Sequence, residues 1–164
     1  MSIEIGRGLE DLLNGLGYFW PEVFEGDLVT GAHLAMSHAA TLTAHKQTAD
    51  AHAQTVADQN TGDDISASQG TWSASGQPSR NLPGTTEAMY FVAAGLLAAA
   101  AVVTTFKVVT AGQLVDLAAG ITEAVATAGV TFGASLLEIP VFKEITQRII
   151  GLLQNLGLQI VMTA

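Results

Sequence analysis

No cysteine occurs in the 164 residues, so the chain forms no disulfide, offers no thiolate to a metal and carries no thiol nucleophile. Positive charge is nearly as scarce. Arg7, Lys46, Arg80, Lys107, Lys143 and Arg148 are scattered along a chain of net charge −9. Nucleic acid is therefore excluded as a partner class, because phosphate binding needs clustered Lys and Arg. Charged residues of both signs reach only 13%, beside 49% hydrophobic ones, where a soluble domain carries about 25%. That deficit points to a buried partner surface or to a membrane. The N-terminus, MSIEIGRGLEDLLNGLG, has acids where a signal peptide has a positive n-region, so ordinary signal-peptide export is not expected. No Gly-rich phosphate loop, His-Glu-x-x-His pair or GxSxG elbow is present. The expectation is a chain that is not an enzyme, with no cofactor and no metal site.

What dominates instead is an uncharged run from Ala88 to Phe106, bounded by Glu87 and Lys107. Nineteen helical residues reach about 28 Å, close to the ~30 Å hydrocarbon thickness of a bilayer. Its alanines, four of them consecutive at Ala98 to Ala101, equally suit the central helix of a bundle in which a neighbour approaches closely. Ala99 is the representative packing position. Both readings stay open at this point.

Upstream, Ile5, Leu9, Leu12, Leu13 and Leu16 recur at helical spacing and predict a short amphipathic helix ended by Gly15 and Gly17. The aromatic cluster YFWPEVFEGD follows, and Tyr18, Phe19, Trp20 and Phe24 are expected to staple that helix onto the bundle. Asp27 can cap a proline-free helix from residue 28 to about 59, stopped by Asn60, Thr61 and Gly62. On it His38, His45 and His52 recur every seven residues, each followed four later by Leu42, Ala49 and Val56. Seven residues separate these histidines by about 10 Å, outside the i, i+4 spacing of ligation on one helix. The seam reads as a half-polar packing face, with Leu42 among its partner-facing positions; contact of the histidines across an oligomer axis, or a pH-sensitive contact, is the other reading.

Residues 60–86 are rich in Gly, Ser, Thr, Asn and Pro and predict a flexible hinge or loop between a helical half (1–59) and an apolar helical half (87–164) of one domain. The lone Trp72 is expected to anchor that loop and be largely buried. Thr85 and Thr86 offer a cap for the apolar segment. Beyond Lys107, Gly129 and Gly133 make a small-xxx-small face. From Pro140, an apolar stripe of Val141, Ile145, Ile149, Leu152, Leu153, Leu156 and Ile160 predicts a final amphipathic helix. The fold class is all-α: an elongated helical hairpin or bundle of five or six helices around a long Ala-rich central helix. Trp20, Leu42, Trp72, Ala99, Gly129, Gly133, Ile149 and Leu153 are the candidate partner or packing positions.

The order of these segments carries a resemblance. An N-terminal helix, the WPEVFEGD segment, a long Ala-rich helix, the GDDISASQGTW stretch, LP, a second Ala-rich helix, then TAG, EIP and a charged amphipathic helix follow one another. This resembles the N-terminal domain of actinobacterial type VII secretion substrates, the Trp-x-Gly superfamily, especially the variety that precedes polymorphic toxins. In that family a Trp-x-Gly turn joins two helices of a hairpin; here Trp72 is followed by Gly76. The family's Tyr-x-x-x-Asp/Glu export signal is matched only by Tyr18 to Glu22, which contains Pro21 and is not carried over. The resemblance implies a helical module that pairs with itself or another helical protein, secreted by a signal-peptide-independent route, as a stand-alone or partner version or a leader without its toxin domain. The composition supports one alternative, a homo-oligomeric membrane-associated anchor or scaffold. A pore-former ranks behind both, because the second apolar run, Ala124 to Leu137, is short for a span.

Overall fold

A computed structural model describes residues 3–163, apart from the side chains of Pro78, Leu158 and residues 160–163. Among the described residues the chain is all-α, with no strand. Its helices are α1 (Arg7–Gly15), α2 (Glu25–Gln59), α3 (Asp63–Ser73), α4 (Pro78–Thr127) and α5 (Glu138–Thr163), with one 3-10 turn at Ala134–Leu137 before α5. The long central helix is α4, fifty residues. The chain divides into two compact units, one of residues up to Gly26 and from Ala98 onward, the other Asp27–Leu97. Residues 60–86 lie inside the second unit, so the boundary between the two predicted halves is not where these units divide.

In the first unit, α1 stops where Gly17 takes φ +87. The amide of Gly17 donates to the Asn14 carbonyl at 2.9 Å and that of Tyr18 to the Leu13 carbonyl at 3.2 Å. This double closure needs a left-handed residue, which glycine adopts without a Cβ clash. The core is Leu13 and Leu16 of α1, Leu114 and Leu117 of α4, and Ile150 of α5, ringed by Ile5, Leu9, Leu12, Phe106, Ile121 and Phe142. The Gln147 amide donates to the Leu16 carbonyl at 3.0 Å, and the Tyr18 hydroxyl donates to the Gln147 carbonyl at 3.1 Å.

In the second unit, α2 runs unbroken to Gln59, and the Asn60 side-chain amide donates to the Val56 carbonyl at 2.8 Å. The helix begins at Glu25, two residues before the predicted Asp27 cap. The predicted loop at 60–86 is largely helical. Asp63 and Asp64 fall in the first turn of α3, where acids suit the helix dipole. Its Thr71 and Ser73 hydroxyls bond carbonyls four residues back. The Ser79 hydroxyl and the Arg80 side chain then donate to the carbonyls of Trp72 and Ser73, capping the end of α3. Pro78 opens α4 nine residues before the predicted start, because an N-terminal helical position needs no amide donor.

Candidate interaction surface

The aromatic segment after α1 has no regular secondary structure, and its aromatics divide into half-buried and exposed ones. Tyr18 and Trp20 pack on the first unit's core. Phe19 and Phe24 are exposed, and the staple is made by two aromatics rather than the four predicted. The Trp20 indole donates to the Ile3 carbonyl at 3.3 Å, and the Lys107 ammonium lies 6.0 Å from its ring centroid.

Lys107 is the charge that ends the long apolar run, and it is buried. Its ammonium donates to the Glu25 carboxylate at 2.8 Å and to the Val23 carbonyl at 2.9 Å. Glu25 also accepts the Ile3 amide at 2.8 Å. The Lys107 bond, followed by the amides of Glu25 and Ile3, holds the Glu25 carboxyl down at about 2, from an ordinary 4.5. A lone Lys amid apolar residues had to find such a partner, because an unpaired buried charge is too costly. That need was readable in FKVV; its partner 82 residues away was not.

Trp72 is half-buried, not enclosed. Its indole donates to the Asp50 carboxylate at 3.1 Å, and Asp50 also accepts Lys46. The Lys46 bond, then the Trp72 bond, lowers the Asp50 pKa. These groups border an open groove of about 700 Å³ between α2 and α3, lined also by Gln54, Gln69 and Gln77.

The seam on α2 is rotated from the predicted one. Ala32 and Ala39 are fully buried, while His38, His45 and His52 are exposed; Leu42 and Ala49 are half-buried beside the alanines. The reason is steric, since small residues let α4 come close, and a Cβ on Gly31 would touch Leu96 at 3.4 Å. On α4, Ala100 is buried and Ala99 half-buried, but Ala98 and Ala101 are exposed.

Gly129 and Gly133 form no helix–helix contact. They lie in the turn after α4, where Gly133 takes φ +84 and its amide donates to the Ala128 carbonyl at 2.7 Å. Of the stripe on α5, Ile149 and Leu153 are half-buried. Leu153 lines an apolar groove of about 400 Å³ with Val102, Val103, Phe106 and Gly157. Val141, Ile145, Leu152 and Leu156 are exposed. The buried face of α5 is centred one position over, on Phe142, Thr146 and Ile150. Ile160 lies outside the described side chains.

The exposed apolar surface is extensive. In the second unit the fully buried apolar side chains, among the described residues, are only Ala32, Ala39 and Ala93. Leu34, Val56, Tyr90, Phe91, Val92 and Leu97 face outward. Tyr90, Phe91, Ala94 and Leu97 share one side of α4 by their i, i+1, i+4, i+7 spacing. The described part of α4 is long and apolar enough to cross a membrane, and only 17% of its most apolar window is buried. No group of three His, Asp or Glu side chains gathers into a metal site among the described residues. Comparison with known proteins finds no matching family model, no matching curated protein and no matching solved structure.

Proposed function

We propose that the protein is a non-enzymatic helical interaction module that completes its core by pairing with a second copy or with another helical protein, in the manner of type VII secretion substrates. The observation that carries this reading is the second unit, which encloses three alanines and leaves Tyr90, Phe91, Val92 and Leu97 uncovered. An alanine buries little area, and hydrophobic stabilisation scales with the apolar area removed from water. A unit built this way gains its missing burial from a partner helix laid along the exposed side of α4. Obligate interfaces have that character, resembling a domain core cut in half. The segment order that resembles type VII substrates supports a partner of the same helical kind. Co-expression with helical candidates followed by size-exclusion chromatography tests it; a chain that elutes alone, as a monodisperse monomer, overturns it.

A second reading has its own support in α4, which meets the length and composition of a span. Under it the protein is a homo-oligomeric membrane-associated anchor or scaffold. Carbonate extraction separates the two. A spanning helix keeps the protein in the membrane pellet, whereas the pairing module is released.

A further inference from the structure

The turn joining α4 to α5 carries its large apolar side chains on the outside. Ala124 to Leu137 carries no charge and lies between Glu123 and Glu138. Within it the amides of Val130 and Thr131 both donate to the Thr127 carbonyl at 3.0 Å. The Ser135 hydroxyl donates to the Ala124 carbonyl at 2.7 Å, and Thr131 Oγ1 accepts the Ser135 amide at 3.3 Å. Around this partly self-bonded turn stand Val130 (82% exposed), Phe132 (99%), Leu136 and Leu137. Phe132 holds φ +51, a left-handed conformation disfavoured for a bulky side chain, and touches nothing that would repay it. A turn made for water would tuck its large apolar side chains under.

We propose that this turn is a membrane-contact tip, which inserts Val130, Phe132, Leu136 and Leu137 into the interfacial region of an uncharged lipid surface. Two observations favour lipid over a protein partner, and a third sets the lipid class. The tip is a turn, and at about 150–250 Å² for a large side chain its four side chains, exposed to 82, 99, 42 and 76%, present roughly 450–750 Å². A stable protein interface takes about 800 Å² from each partner. The turn's internal hydrogen bonds satisfy the amides of Val130, Thr131, Gly133, Ala134 and Leu136, which lowers the cost of taking this backbone into the interface. Charge sets the lipid class: the acids Glu123 and Glu138 flank the tip, and the nearest cation along the chain is Lys143. Anionic headgroups would gain nothing here, unlike at the basic helices that depend on them. The inference is independent of the pairing face on α4, which lies on other residues.

The test uses the 164-residue chain with neutral phosphatidylcholine vesicles. Wild type should float with the vesicles at both low and high salt. Phe132→Asn should lower the partition coefficient roughly tenfold to a hundredfold, the value of burying one large apolar side chain. Because asparagine tolerates a left-handed backbone, that variant should keep or raise the melting midpoint, so lost binding cannot be ascribed to unfolding. Phe132→Trp should add fluorescence quenched by brominated acyl chains, beyond the quenching of Trp20 and Trp72 in wild type. The proposal is overturned if Phe132→Asn floats like wild type, if the added Trp is not quenched, or if binding needs anionic lipid. It is equally overturned if Phe132→Asn abolishes self-association in vesicle-free buffer, which would assign the tip to a second copy. Sedimentation without vesicles tests the pairing reading separately, so either can fail alone.

Discussion

Two substitutions on α5, two residues apart, should have opposite consequences. Ile150 is 0% exposed, wedged among Leu13, Leu16, Leu114 and Leu117, whereas Leu152 is 70% exposed. Ile150→Ala removes three carbons. At about 0.8 kcal/mol per buried methylene that is about 2.4 kcal/mol, and the cavity left behind takes the total into the 2–5 kcal/mol range known for such truncations, roughly. At about 2–4 °C per kcal/mol for a chain of this size, the melting midpoint should fall by between about 4 and 20 °C. Leu152→Ala removes the same number of carbons from a side chain that is already in water. It should cost less than about 0.5 kcal/mol of intrinsic stability, as surface changes do. Circular dichroism melts at low protein concentration, where association is minimal, read both values. Equal losses in the two variants would show that the face of α5 is wrongly assigned.

Thr110 is fully buried, and its hydroxyl has no hydrogen-bond partner among the described residues. Thr110→Val keeps the shape and removes the stranded polar atom, so it should stabilise by about 1 kcal/mol in chemical denaturation. Glu25 gives the fold an acid-sensitive point. Its carboxyl is held near 2 in the folded protein against 4.5 ordinarily, so its contribution is complete above the higher value and is lost as pH falls toward the lower one. The melting midpoint should drop across that window, and Glu25→Gln should flatten this part of the profile; parallel profiles would count against the buried pair. Trp72→Phe removes an N–H donor from Asp50 and should raise its pKa, with Lys46→Met raising it further, as followed by carboxyl carbon NMR.

The all-α class was legible, and so was the end of α2 at Asn60, because strong helix formers and stop residues act locally. Which side of each helix is buried was not. On α2, period-seven histidines marked a seam, yet the alanines at 32 and 39 take the contact because only small side chains admit the neighbouring helix. On α5, the stripe through Val141, Ile145 and Leu152 was a real apolar face. It is the outer one, while Phe142, Thr146 and Ile150 make the core. In a chain so rich in Ala, Val and Leu, nearly every face is apolar, so periodicity has little to discriminate with. Residues 63–73 hid a helix because Ser, Gly and Asp favour loops and turns; here the acids sit at the helix start, where the dipole favours them, and the Trp72 indole ties the helix to Asp50. Gly129 and Gly133 fit two geometries equally well, a close helix crossing or a left-handed turn. Only the position where α4 ends distinguishes them.

The central claim is that the single chain leaves apolar surface that a helical partner covers. Sedimentation equilibrium of the purified 164-residue chain, in detergent-free buffer, tests it most directly. The account predicts a mass at an integer multiple of 16.9 kDa greater than one, or a stable complex with a co-purifying helical protein, weakened when Phe91 and Leu97 are both changed to Ser. A monodisperse species of 16.9 kDa that stays monomeric as concentration rises would contradict it.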